Sequence, residues 1–110
     1  MLRSHLLPLT CAILLNFGAF SAFAEVEQEV MNALHMLDYI GVDYPEFVQD
    51  GTVKNEAEYA EQVEFASEVA AALERLPASP AQTGLMRQST ALRQAIHDKV
   101  AGSEITALTD

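Results

Sequence analysis

Cysteine and tryptophan are all but missing from this chain, which has one Cys, at position 11, and no Trp in 110 residues. No intrachain disulfide can form, so a domain of this size must be held by helix packing, a metal or a partner. Bases are scarce as well: six Lys and Arg stand against sixteen Asp and Glu, a formal charge of −10. Such a field repels nucleic acid and anionic membrane surfaces and concentrates cations, including metal ions and basic protein patches. Also missing are a nucleophile elbow, a Gly-rich phosphate loop, a cysteine pair and a His-Glu-x-x-His motif. The chain therefore reads as non-enzymatic.

The long apolar residues are concentrated at the amino terminus. Arg3 precedes a nearly unbroken apolar run from Leu6 to Phe20, and Ala22-Phe23-Ala24 places small residues where a signal peptidase reads them. Residues 1–24 are expected to be a signal peptide cleaved after Ala24, with an exported, periplasmic product. An uncleaved membrane anchor is the competing reading. The run is shorter than the roughly 20 residues a bilayer core requires, and Pro8 and Asn16 interrupt it. Cleavage would remove Cys11 and Arg3, leaving sixteen acids and five bases, a charge of −11.

From Glu25 onward the pattern is helical throughout, with no strand alternation. Val26, Val30, Ala33, Leu34, Leu37 and Ile40 recur at helical spacing, and Gly41 is the expected stop. Asp43 then reads as the cap of a short helical connector with Pro45 in its first turn, closed by an Asp50-Gly51 turn. Asn55, followed three residues later by Glu58, opens a second long helix whose apolar face is Tyr59, Val63, Ala66, Val69, Ala70 and Leu73. Ser79 and Pro80 cap a third, expected to bury Leu85, Leu92, Ile96 and Val100 and to stop at Gly102. The expected fold is all-α: a small up-down bundle of about three helices with a short helical connector over residues 25–102, followed by a frayed tail at 103–110.

All three tyrosines, Tyr39, Tyr44 and Tyr59, fall in the segment Leu37–Glu64, each with an acid beside it or close by in the chain. An amphipathic ring with a polar tip suits both fastening the connector and forming a binding surface. Asp43 shares that segment and has a local use as a cap. On the second helix Glu61, Glu64 and Glu68 share one face with Glu58 at its border. Hard oxygen ligands at these spacings are the chemistry of an iron or calcium-like site, whereas a solvated acidic stripe is the ordinary use of such a face. His35 and Asp38, one turn apart on the first helix, are a second candidate ligand pair. The candidate metal set is thus His35, Asp38, Glu58, Glu61 and Glu64.

The string His35-Met-Leu-Asp-Tyr-Ile-Gly-Val-Asp-Tyr-Pro45, followed by Asp50-Gly51-x-Val53 and Asn55-Glu-Ala-Glu-Tyr-Ala-Glu-Gln-Val-Glu-Phe65, resembles the extracytoplasmic amino-terminal region of bacterial Ftr-type high-affinity iron permeases. In that family the region precedes a polytopic membrane domain whose Arg-Glu-x-x-Glu motifs carry iron. Those motifs are absent here, so the resemblance does not imply transport activity. It implies an exported helical module working near iron uptake, with iron as the metal and a membrane permease or an associated oxidase or cytochrome as partner. Two readings follow: a module that binds or presents iron through carboxylates near the connector, and a docking or structural module that binds no metal. A core this small also leaves a homodimer open.

Overall fold

The computed structural model describes the backbone of residues 2–110 and the side chains of residues 22–110. The export signal expected over residues 1–24 therefore falls, up to residue 21, outside the described side chains. In chain order the elements are α1 (Leu2–Phe47), β1 (Val48–Gln49), β2 (Thr52–Val53), α2 (Glu56–Glu74), α3 (Pro80–His97) and α4 (Gly102–Thr109). The fold is an all-α bundle in which α2 packs back along α1, α3 packs on α2, and α4 lies against both α1 and α3. Among the described residues no helix is long and apolar enough to cross a membrane.

The expected stop at Gly41 and restart at Asp43 do not occur, because α1 runs through Gly41, Asp43 and Pro45 to Phe47. Proline inside a helix lacks the N–H that would bond the carbonyl four residues back. Here that carbonyl belongs to Gly41, and it accepts from the Thr106 hydroxyl of α4 at 3.2 Å. Tertiary structure thus supplies the donor that local sequence withholds. Both glycines expected as stops are instead places where α4 approaches α1 closely. A Cβ on Gly102 would lie 2.6 Å from Pro45 Cβ, and one on Gly41 would lie 2.6 Å from Thr109 Oγ1.

The connector is a β-hairpin rather than a helical piece. Val48 pairs with Val53 and Gln49 with Thr52 in an antiparallel ladder, and the Lys54 N–H donates to the Phe47 carbonyl at 2.7 Å. Asp50 and Gly51 have φ of 54° and 72°. Both central residues of a type I′ hairpin turn need such positive values, and Asp-Gly is among the pairs that adopt them most readily. Strands of two residues are too short to show an alternating pattern, which is why the sequence reads as purely helical.

The second and third helices begin as the sequence indicates. The Asn55 side chain accepts from the Glu58 N–H at 3.2 Å and Ser79 Oγ from the Gln82 N–H at 3.0 Å, while Pro80 opens α3. The Gln82 side chain also reaches back to the end of α2, donating from Nε2 to the carbonyls of Leu73 at 3.0 Å and Leu76 at 2.9 Å. These bonds add donors where the regular helical ladder of α2 runs out. The third helix ends at His97, earlier than Gly102, in a Schellman turn: Val100 N–H donates to Ala95 and Lys99 N–H to Ile96, with Lys99 at φ 55° where glycine is usual.

The stretch 103–110, expected to fray, forms most of α4. Its anchor is Ile105, completely buried in a core with Ile40, Tyr44, Val48, Ala66, Leu92 and Ile96. Burying an isoleucine of this kind contributes about 1.5–3 kcal/mol, enough to order a short helix that propensity alone would leave melted. Several expected core residues lie outward instead. Val30, Leu34, Val63 and Leu85 are exposed, whereas Gln62 and Ser89 are buried. Other members of the expected faces are inward: Ala33, Ile40, Ala66, Val69, Leu92 and Ile96 are buried as their spacing predicts.

Candidate functional site

The three tyrosines separate into two roles. Tyr44 is completely buried, and its hydroxyl donates to the Val100 carbonyl at 2.8 Å. Tyr59 donates to the Ile96 carbonyl, also at 2.8 Å. Both hydroxyls thus satisfy carbonyls at the end of α3 and in the turn after it, where helical donors run out. They fasten α1 and α2 to the third helix. Burial, then the neighbouring Tyr59 and Glu104, pushes the Tyr44 hydroxyl up to about 12.

Tyr39 is different. It remains 55 % exposed, with its ring tilted against Phe65 at a centroid distance of 5.9 Å. These two rings, with Asp43 and Glu61, line an open cleft of about 330 Å³ between α1 and α2. Glu58, one turn before Glu61 on α2, engages the Glu61 carboxyl directly. Desolvation, a side-chain hydrogen bond with Glu58, and the charges of Glu58 and Asp43 together raise the Glu61 carboxyl above the usual carboxylate range. Repulsion between neighbouring carboxylates favours proton retention, or any cation that relieves it.

Of the five candidate ligands, the fold brings Glu58 and Glu61 together. Asp38 lies on the other flank of α1, in a cleft with Thr106 and Thr109 of α4 and the following Asp110. His35 and Glu64 are exposed, and neither lines the Tyr39 cleft. Among the described residues no three His, Cys, Asp or Glu are grouped closely enough to hold a metal ion. Asp43, expected to be a cap, instead faces Glu61 from within α1, and Phe65 supplies the cleft's apolar wall. The helical continuity through Pro45 hid Asp43's position. With it, Tyr39 and Asp43 stand four residues apart on one helix, the spacing that places side chains on the same face.

A second and larger cleft, about 370 Å³, opens on the α3 flank of α2 between Tyr59, Val63, Ser67, Thr90, Arg93 and His97. A small apolar cleft beneath the exposed Leu85 and Leu108 includes Ala33, Leu37, Leu73 and Ser89. The Ser89 hydroxyl there is buried with no hydrogen-bond partner, as is the Gln62 carbonyl oxygen elsewhere in the core.

Compared with known protein families, residues 21–109 match a family model described as an iron permease-associated 4-helix bundle domain. No curated protein and no solved structure matches the chain.

Proposed function

Since the chain belongs to the family of iron permease-associated 4-helix bundle domains, we propose that it is an exported, non-catalytic module that binds or presents iron through the carboxylates of the α1–α2 cleft. The observation that carries this reading is the meeting of Glu61 with Glu58 and Asp43 beside the exposed Tyr39 phenol. Carboxylate and phenol oxygens are hard donors, suited to a hard, highly charged cation. Bringing a cation among the three acids relieves the mutual repulsion that, after desolvation, helps to raise the Glu61 carboxyl. Phe65 forms the apolar wall of the same cleft. The net charge of −10 adds a long-range field that concentrates cations at the surface.

The test is calorimetric titration of the purified chain with ferrous iron under anaerobic conditions and with ferric nitrilotriacetate. Saturable binding, weakened at least about tenfold in Glu61→Gln, Glu58→Gln or Asp43→Asn and retained in Asp38→Asn, is expected. Equal affinity in the three cleft variants and the native chain would overturn the reading.

A second reading, docking on a membrane iron permease or an associated oxidase without metal, is favoured by the exposed Leu85 and Leu108 over the small apolar cleft. Exposed apolar surface of this kind marks interaction sites. Recovery of a permease from membrane extract, independent of iron and abolished by Leu85→Glu, supports docking over metal presentation. A homodimer through the same face would show as a concentration-dependent mass in sedimentation.

A further inference from the structure

The cleft between α2 and α3 has a chemistry opposite to that of the rest of the protein. Its nine lining residues include Arg93 and His97 and no acid, in a chain where Asp and Glu outnumber Lys and Arg sixteen to six. Lys99 adds a second full positive charge beside Arg93: its Nζ lies 5.4 Å from the ring centroid of Tyr59, which forms one wall of the cleft. The ion pair found among the described residues joins Arg75 to Glu29, so Arg93, His97 and Lys99 have no acid paired with them. Asp98, the acid nearest in sequence, is engaged by Gln94 Nε2 at 3.0 Å and does not line the cleft.

We propose that this α2–α3 cleft is a binding site for a small oxyanion, a carboxylate or a phosphate, held by the Arg93 guanidinium and the His97 imidazole. The guanidinium presents paired donors in a plane, which matches two oxygens of a carboxylate or phosphate and forms charge-assisted hydrogen bonds. His97 lies four residues on, one helical turn along the same face of α3, and supplies a donor from a second direction. Other polar side chains at the cleft are already committed. The Ser67 hydroxyl donates to the Val63 carbonyl at 3.2 Å, Thr90 to Met86 at 3.1 Å, and Tyr59 to Ile96 at 2.8 Å. Arg93 and His97 are left as the donors free to meet a ligand. At about 370 Å³ the cleft falls within the roughly 300–1,000 Å³ usual for small-molecule sites.

A cation near a helix C-terminus often needs no ligand, because it interacts favourably with the helix dipole. His97, in the last turn of α3, occupies such a position. Arg93 stands a turn earlier, and the terminal carbonyls of α3 are already satisfied by Tyr59 and the Schellman turn. The site lies on the α3 flank of α2, whereas the acidic cleft lies on the α1 flank. The two can therefore be lost separately.

The experiment is a nuclear magnetic resonance titration of the full chain with sodium citrate and, separately, sodium phosphate, with ionic strength held constant by sodium chloride. The Arg93 Nε–H and His97 ring signals are followed. Saturable shifts at millimolar concentration or below, in either arm, are expected, and the arm that saturates at lower concentration identifies carboxylate or phosphate. Arg93→Ala and His97→Ala should each weaken binding at least fivefold, while Arg87→Ala, an exposed arginine of the same helix outside the cleft, and Asp43→Asn leave it unchanged. Shifts that grow linearly with both anions, or an Arg93→Ala chain that binds as the native one does, would overturn the proposal.

Discussion

The Thr106 hydroxyl of α4 donates to the Gly41 carbonyl of α1 at 3.2 Å, sharing its proton with its own helix at the Gly102 carbonyl, 3.0 Å away. Gly41 is the residue whose carbonyl loses its helical partner because Pro45 has no N–H. One hydroxyl therefore reconciles a proline inside α1 with the docking of α4, and α1 can carry Asp43 past the point where its sequence suggests a break. The acidic cleft depends on that continuity.

Removing the hydroxyl without changing shape should expose the relationship. Thr106→Val is expected to cost about 1 kcal/mol, the net worth of one hydrogen bond, in urea denaturation of the native chain. Pro45→Ala restores the N–H, so the same Thr106→Val change should cost less in that background. Equal costs in both backgrounds, by double-mutant cycle, would show that the bond does not compensate for the proline.

The two close-approach glycines should respond differently to alanine. At Gly102 the new Cβ meets Pro45 backbone as well as side chain, at 3.0 Å from Cα, and overpacking against atoms that cannot rotate away costs about 1–3 kcal/mol. At Gly41 the obstacle is the movable end of Thr109, and alanine gains about 1 kcal/mol of helix propensity. Thermal unfolding followed by circular dichroism is expected to show a lower Tm for Gly102→Ala than for Gly41→Ala.

Tyr44 makes the fold sensitive to alkali. In the folded chain its hydroxyl holds its proton up to about 12, whereas an unfolded tyrosine releases it near 10, so deprotonation favours unfolding as pH rises from about 10 to 12. The contribution is fully present below pH 10, and its loss amounts to about 3 kcal/mol. Tyr44→Phe should cost about 1 kcal/mol at pH 7 and flatten the decline above pH 10, as read from denaturation midpoints across that range.

Glu61 acts with the opposite consequence at neutral pH. Its folded-state carboxyl is raised by desolvation, Glu58 and Asp43, so the folded chain binds the proton more tightly than the unfolded one. The Glu61 contribution is therefore most favourable in acid, below the ordinary carboxylate range, and declines as pH rises through the raised value. Glu61→Gln should raise Tm at pH 7 by a small margin, and the gain should vanish near pH 4. A lower Tm at pH 7 would mean that the charged carboxylate is stabilising and that Glu58 and Asp43 do not oppose it.

Local chemistry was legible wherever a residue acts on its own neighbours. Asn55 and Ser79 cap the helices they precede, and the Asp50-Gly51 turn was readable from two residues. The hairpin around that turn was not, because two-residue strands leave no period to detect. At the candidate site, Glu58 and Glu61 were visible as a pair one turn apart. Asp38 and His35 shared their helix with Tyr39, but the sequence could not show that α4 would occupy Asp38's flank. Phe65 carried no signal as a wall of the cleft, since an aromatic residue on an amphipathic helix is ordinarily core.

The sequence by itself determined an acidic, cysteine-poor helical domain, the starts of α2 and α3, and the resemblance that its match to the iron permease-associated bundle bears out. These follow from charge, caps and spacing within a few residues. Tertiary structure alone decided that Pro45 would not end α1, that residues 102–109 would be a helix, and that Tyr44 and Tyr59 would serve α3 while Tyr39 stayed free. Each of those outcomes depends on a partner far along the chain: a hydroxyl from Thr106, the core around Ile105, and the carbonyls of Ile96 and Val100. A local pattern cannot contain such partners, because burial and hydrogen-bond satisfaction are properties of the packed bundle.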